Sequence, residues 1–348
     1  MTGTADVEMA VVGAGVMGAA TARALARDGH EVLVLEQFEL GHGRGSSHGA
    51  SRVFRLSYAE SMFVRMAQEA LPMWRELEEE CGQTVLTSTG GVDVGFGAID
   101  NAEALQTCGV SFERMDGRAA SDRFPVFSLP PDAPVLYQPE AGIVHADTAI
   151  HAFVQSAREH GAELRERSRV VRLSTEGDVV EVETDTDAVT ASVAVVTAGA
   201  WCGPVLATAD LDIPVVPTRE TAAYFALDDP WPPILVQWEE APYYALPNPG
   251  RGIKAAQHHA GPVADPDEPG QVSEEAVARL SEWVKERFPG SDPEPQLAET
   301  CLYTNTEDER FILERRGQVV IGSPCSGHGF KFAPWIGRRL GQLASAKP

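Results

Sequence analysis

The sequence predicts a mixed α/β fold in which a nucleotide-binding domain is discontinuous and β-rich (α+β) segments are inserted into it. Three observations predict this. The apolar run 7–12 leads directly into Gly13-Ala14-Gly15-Val16-Met17-Gly18, an Ala-rich stretch to Arg27, and a second apolar run, 31–35, ending in Glu36. Residues 169–174, 179–184 and 191–196 alternate like strands joined by polar turns, and the last runs into Thr197-Ala198-Gly199-Ala200-Trp201. Residues 214–260 are again β-rich, before a glycine-rich segment and a last helix close the chain.

The first observation is a strand, a glycine turn, a helix and a strand, with an acid about twenty residues past the glycines, the order of a Rossmann-type dinucleotide fingerprint. Gly13 allows the tight turn, Gly15 lets the backbone approach a pyrophosphate, and Gly18 lets helix and strand pack closely. The N–H groups and positive dipole end at the helix start then face phosphate. Glu36 is the expected acceptor for a ribose diol. An ordinary glycine turn is the alternative, and the pattern alone does not separate NAD from FAD.

The remaining elements follow in order. A Gly/Ser/His-rich loop spans 41–51, and a helix is expected over 60–80. Residues 84–98 alternate like strands around Gly90-Gly91, and 101–135 are mixed and Pro-rich. A helix begins near His145 and is closed by Gly161. Strands are expected at 214–227, 234–238, 243–246 and 252–257. Ser273 caps a helix that carries Glu274 and Glu275 in its first turn and stops at Pro289-Gly290. Strands at 299–304 and 318–321 precede the segment 322–332, and Pro334 suits the first turn of the last helix.

Composition bounds the function. Apolar residues make up 43% of the 348, and the mean hydropathy is −0.15, as for a globular protein. No apolar run approaches ~20 residues, so no membrane span is expected, and no secretory signal precedes Val7. A net charge of −23 argues against nucleic acid, whose phosphates it would repel. The five cysteines, Cys81, Cys108, Cys202, Cys301 and Cys325, are widely spaced and lack CxxC, which points to a reducing compartment, no disulfide framework and no metal site. Only four of the 28 basic residues are lysine. Lys285 and Lys347 need no special reason, whereas Lys254 and Lys331 mark positions where a compact ammonium is wanted.

Four segments carry a resemblance over nearly the whole chain: the glycine turn, Gly45-Ser-Ser-His-Gly-Ala-Ser-Arg-Val-Phe-Arg-Leu-Ser-Tyr58, Glu299-Thr-Cys-Leu-Tyr-Thr304 and Ser326-Gly-His-Gly-Phe-Lys-Phe332. In these the chain resembles the monomeric sarcosine oxidase family of FAD-dependent amine oxidases, which includes N-methyltryptophan oxidase and pipecolate oxidase. The resemblance implies a Rossmann-like FAD-binding domain in three parts, 1–84, 141–211 and 315–348, with a substrate domain in two, 85–140 and 212–314. It implies a cytoplasmic, monomeric flavoprotein acting on a small amino acid and O2.

Site residues follow by the same resemblance. Cys301 matches the cysteine bonded to the flavin; a core cysteine is the plain alternative and Cys325 the rival tether. On a strand, Cys301 and Tyr303 share a face. Arg52 corresponds to a catalytic arginine against the flavin ring, and Arg55 to the one that grips the substrate carboxylate with a planar fork. Lys331 adds a second cation there and also touches the cofactor. Lys254 matches the lysine beside the flavin where oxygen reacts. Its ammonium stabilises the charge that develops on oxygen, and a surface lysine is the alternative. His258 and Tyr244 match residues on the amine side, with His259 as the neighbouring register. Gly13, Gly15, Gly18, Glu36, His48, Val171, Gly327, His328 and Gly329 complete the cofactor-binding set. The last helix aims its positive end at the flavin. Family members usually continue some tens of residues beyond the last helix, where this chain stops at Pro348.

The implied reaction is oxidation of the C–N bond of a secondary (N-methyl or cyclic) amino acid to an imine, with O2 reduced to hydrogen peroxide. Other readings are a flavin dehydrogenase of N-substituted amino acids, including fructosyl ones, that uses a carrier, a nicotinamide reductase, and a non-catalytic flavin-binding subunit or sensor.

Overall fold

Two eight-stranded sheets organise the protein, described here from a computed structural model over residues 5–229, 231–239 and 242–346. Lys347 and the first four residues lie outside the described residues. In the first sheet the strand Val7–Val12 sits between Val32–Leu35 and Ala188–Val196, and both pairings are parallel. Both neighbours are near-continuous apolar runs, as expected of strands covered on two faces. Helix Val16–Arg27 packs between Ala146–Glu159 and the last helix, Ala333–Ser345. The close approach is made by small side chains: a Cβ on Gly337 would meet the backbone of Ala20 at 2.5 Å.

The sheet is extended on one side by Val170–Glu176 and Val179–Thr184, on the other by Glu163–Arg165, and by Val319–Ser323 parallel to Ala188–Val196. A strand at Ile312–Arg316 pairs antiparallel with Val319–Ser323. It has no counterpart in the sequence reading, because its run Ile-Leu-Glu-Arg-Arg does not alternate clearly.

The second sheet runs Leu297–Asn305, Val216–Phe225, Gly252–Gln257, Tyr243–Asn248, Ile234–Gln237, Gly91–Val94, Pro134–Gln138 and Glu113–Asp116. The mixed region resolves into helices Gly97–Thr107 and Gly117–Arg123 between these strands. Residues 97 and 98, read as strand, open the first of these helices, where Gly97 lies against the Trp238 ring. A three-stranded sheet of Arg52–Phe54, Gly142–Val144 and Leu86–Ser88 also carries Arg52.

Helix Ser61–Cys81 supports the site from behind. Trp74 is fully buried and its indole N–H donates to the Lys331 carbonyl at 2.8 Å. Among the described residues no helix is long and apolar enough to cross a membrane.

Candidate functional site

The glycine turn is built as a phosphate site. Gly13 has φ of +95°, in the region that favours glycine, and a Cβ there would meet the Thr197 carbonyl at 2.9 Å. A Cβ on Gly18 would lie 1.8 Å from the Gly13 carbonyl. Gly15 precedes helix Val16–Arg27 with no side-chain cap and no acid in the first turn, so the positive helix end carries no built-in anion. Glu36 is buried; its Oε2 accepts from the Ala14 N–H at 2.7 Å and its Oε1 from the Phe38 N–H at 2.9 Å. The acid therefore braces the turn, with His42 Nε2 also 3.5 Å from Oε1, and it lines the cavity.

From this turn a cavity of about 1410 Å³ runs toward the second sheet. That exceeds the roughly 300–1,000 Å³ usual for a drug-sized ligand and suits a dinucleotide together with a small substrate. Every candidate residue from the sequence lines it except Gly18, which acts from beneath the turn. Val171, on the first-sheet strand Val170–Glu176, lines the cavity from an exposed position. Three buried polar atoms on the wall, His48 Nε2, Ser51 Oγ and Ser323 Oγ, have no partner within the protein. Such orphans point to a bound group. Gly327 and Gly329 bring the backbone in close: a Cβ on Gly327 would strike the Tyr303 ring at 2.2 Å, and one on Gly329 the Pro324 carbonyl at 1.7 Å. The uncapped helix start, the glycine cradle and the orphaned atoms fit FAD.

Strand register explains how distant residues converge. Across the second sheet Tyr224 lies opposite Lys254, Ala222 opposite Glu299, Glu220 opposite Cys301 and Thr218 opposite Tyr303. Tyr244 pairs with Ala256, two residues from Lys254. Side chains alternate with period two, so Lys254, Tyr244, Glu299, Cys301 and Tyr303 share one face, the one turned to the cavity.

The acidic protein concentrates cations here: Arg52, Arg55, Lys254 and Lys331 all line the cavity. Arg52 donates to the Ser46 carbonyl at 2.8 Å and to the His48 carbonyl at 2.5 Å. Arg55 is buried, with its guanidinium 4.3 Å from the Tyr58 ring centre and 5.1 Å from that of Trp238. It also donates to the Ser57 carbonyl. Lys331 is buried and donates to the Tyr58 hydroxyl at 2.8 Å and the His328 carbonyl at 2.7 Å. Burial, then the Arg55 charge, holds its pKa well below that of a free lysine. Lys254 is 4% exposed, not a surface lysine, and its ammonium is 3.0 Å from Glu299 Oε1.

Burial disfavours the charged form of three histidines on the cavity wall. Burial, then Arg52, pushes His48 down to about 4. Burial, then His259, pushes His258 down to about 3, and burial, then Lys331, does the same to His328. His258 Nδ1 lies 3.4 Å from the Tyr303 hydroxyl, which is 3.5 Å from that of Tyr244. His259 is different: Glu309 raises its pKa and lies 3.3 Å from its Nδ1, while its Nε2 is 3.3 Å from the Ser326 carbonyl. Its ring stacks on that of His258 with centroids 3.9 Å apart. The donor atoms of His258, His259 and Glu309 lie within 4.8 Å of one another. Near-parallel stacked rings do not direct lone pairs at one point, and His259 already has both nitrogens engaged.

Cys301 is an unpaired thiol on the cavity wall, its pKa raised by burial. Cys325 also reaches the cavity, but its Sγ already accepts the Thr304 N–H at 3.4 Å. Two residues escaped the sequence reading as participants: Glu299, inside a quoted motif, and Asp93, a fully buried acid near Arg55 with its pKa raised by burial. A charged residue in the apolar run Gly91–Val94 was the available signal for Asp93.

Comparison with known proteins agrees with this geometry. Residues 8–343 match the family described as DAO, FAD dependent oxidoreductase. The chain is 31% identical to the monomeric sarcosine oxidase of Bacillus sp. (strain NS-129), over 97% of this chain and 92% of that one. It is 33% identical to the peroxisomal sarcosine oxidase of Homo sapiens, covering 96% and 91%. The probable sarcosine oxidase of Arabidopsis thaliana is 36% identical, covering 97% and 88%. Among solved structures, the open form of NikD, an unusual amino acid oxidase essential for nikkomycin biosynthesis, superposes with a TM-score of 0.89 at 26% identity, over 98% of this chain and 94% of that one. L-proline dehydrogenase from P. horikoshii shares the fold at a TM-score of 0.87 and 22% identity, over 97% and 93%.

Proposed function

The chain belongs to the FAD dependent oxidoreductase family, and from that premise we propose that it oxidises small secondary amino acids, N-methyl or cyclic, to imines. The observation that carries this reading is the pair of buried cations, Arg55 and Lys331, at one end of a cavity whose other end is a dinucleotide cradle. Arg55 receives the substrate carboxylate on its planar fork. Lys331 adds a second contact, and an arriving carboxylate restores the proton that burial disfavours. His258 meets the amine as an uncharged ring, which suits an amine bound neutral with its lone pair free. Tyr244 closes the same side. His48, Arg52, Gly327, His328, Gly329 and Val171 hold the cofactor, with Glu36 and the glycine turn at its ribose and phosphates.

Bound FAD supplies a two-electron acceptor that O2 reoxidises with release of hydrogen peroxide. Lys254 supplies a fixed positive charge where oxygen gains electrons. Cys301 is the thiol we assign to a covalent link with the cofactor, because it shares a sheet face with Lys254 and Tyr303. We assign 1–84, 141–211 and 315–348 to the FAD-binding domain and 85–140 and 212–314 to the substrate domain. The strands of the second sheet, which all fall within 91–138 and 216–305, support that reading, whereas Ile312–Arg316 of the first sheet straddles the last boundary. The protein acts as a monomer in the cytoplasm, a reading supported by monomeric relatives and five unpaired cysteines.

The test is anaerobic mixing of the purified yellow protein with a panel of N-alkyl and cyclic amino acids. Sarcosine, proline or pipecolate should bleach the visible absorbance, and air should restore it with one peroxide formed per imine. A protein that no amine bleaches is a non-catalytic subunit. One that bleaches but returns electrons only to a carrier is a dehydrogenase.

A further inference from the structure

Lys254 sits in a buried site with one acidic neighbour within salt-bridge distance among the described residues. Glu299 Oε1 lies 3.0 Å from the ammonium and also accepts the Tyr224 hydroxyl proton. The three side chains occupy three adjacent strands on one face, and Ala222, opposite Glu299, is small enough to let lysine and glutamate meet across the middle strand. The ammonium also lies 5.2 Å from the Tyr224 ring centre. Among the described residues the lysine therefore has one ion-pair partner, and that partner is itself held by a tyrosine.

We infer that Glu299 is a positioning residue acting through Lys254: its carboxylate fixes the ammonium on the cavity wall and keeps it protonated. This rests on reading Lys254 as the cation at which oxygen is reduced. That step delivers two electrons and two protons to O2 to give hydrogen peroxide, and the first electron places negative charge on oxygen. A neutral amine cannot stabilise that charge.

The groups facing Lys254 are Glu299 and Cys301 on one strand, Tyr224 on the next, Arg52 on the short sheet and His48 in the loop. Burial is the largest influence on Lys254 and lowers its pKa; Arg52 lowers it further, whereas Glu299 raises it, as would Cys301 only if it were a free thiolate. Removing Glu299 leaves burial and Arg52 less opposed. The lysine then loses its proton at lower pH, so fast reoxidation is lost earlier as pH rises.

The experiment is trace acetylation of the purified protein with acetic anhydride across the neutral and alkaline range, with the Lys254 peptide quantified by mass spectrometry. In Glu299→Gln the midpoint of Lys254 modification should fall by about one to three pH units, and Glu299→Asp should keep it near that of the parent. In the same variants the alkaline limb of reoxidation should move down with the midpoint. An unmoved Lys254 midpoint in Glu299→Gln overturns the inference, as does faster reoxidation at every pH, which would make Glu299 a screen instead of a support. If the midpoint moves while reoxidation ignores Lys254→Met, the role assigned to Lys254 fails and the ion-pair inference stands.

Discussion

Arg55→Ala should raise KM for amino-acid substrates by about thirty- to a thousandfold, the kinetic equivalent of roughly 2–4 kcal/mol for a buried charge pair that loses one partner. Arg55 is 9% exposed and its guanidinium is clamped between the Tyr58 and Trp238 rings, so little reorganisation is needed when a carboxylate arrives. Nor is water well placed to substitute for it. Lys331 remains in the variant and, freed of the Arg55 charge that helps lower its pKa, is more readily protonated, but a lone point charge cannot replace a planar fork. Arg55→Lys should recover only part of the loss, because an ammonium cannot offer two parallel donors. Titration of the yellow protein with a carboxylated inhibitor, followed by the perturbed visible spectrum, separates binding from turnover. Unchanged inhibitor affinity in Arg55→Ala would place the carboxylate elsewhere.

Lys254→Met should slow reoxidation of the reduced protein on the order of a hundredfold or more, the scale of removing one preorganised electrostatic contact from a water-poor site. Methionine keeps an unbranched chain of similar length, so the cavity wall stays filled while the charge disappears. Reduction by substrate should change far less, since substrate carboxylate and amine meet Arg55, Lys331 and His258 instead. Stopped-flow measurement of the two half-reactions resolves this. Equal loss in both would mean that the lysine shapes the whole cavity and has no special part in oxygen chemistry. The Glu299 partnership sharpens the expectation, because the ammonium is pinned and does not sample several positions.

Much of this arrangement was legible in the chain. The glycine turn, the helix capped at Ser273 and the alternating strands announce themselves through local rules: a tight turn needs glycine, an N-cap needs a side-chain acceptor, a strand repeats every two residues. The Ser273 side chain does accept from the Ala276 N–H. The resemblance supplied residues that local rules could not, such as Lys254 and Arg55. What stayed hidden was long-range pairing. Lys254 and Glu299 are 45 residues apart in sequence and meet only because the strand Val216–Phe225 lies between theirs in a particular register. Asp93 lay unremarked in a short strand run, yet it is buried beside Asn101 and Ser57. The two adjacent histidines also differ in ways the chain did not show: His258 Nδ1 lies near the Tyr303 hydroxyl, whereas His259 pairs with Glu309 and meets the Tyr303 ring edge-on.

The claim on which the account stands is that a yellow cofactor lies in this cavity, tethered at Cys301 beside Lys254. Precipitation of the purified protein in acid tests it directly. The pellet of the parent protein should remain yellow, and in Cys301→Ser the colour should pass to the supernatant. A colourless parent protein, or colour retained in the pellet of Cys301→Ser, would contradict it.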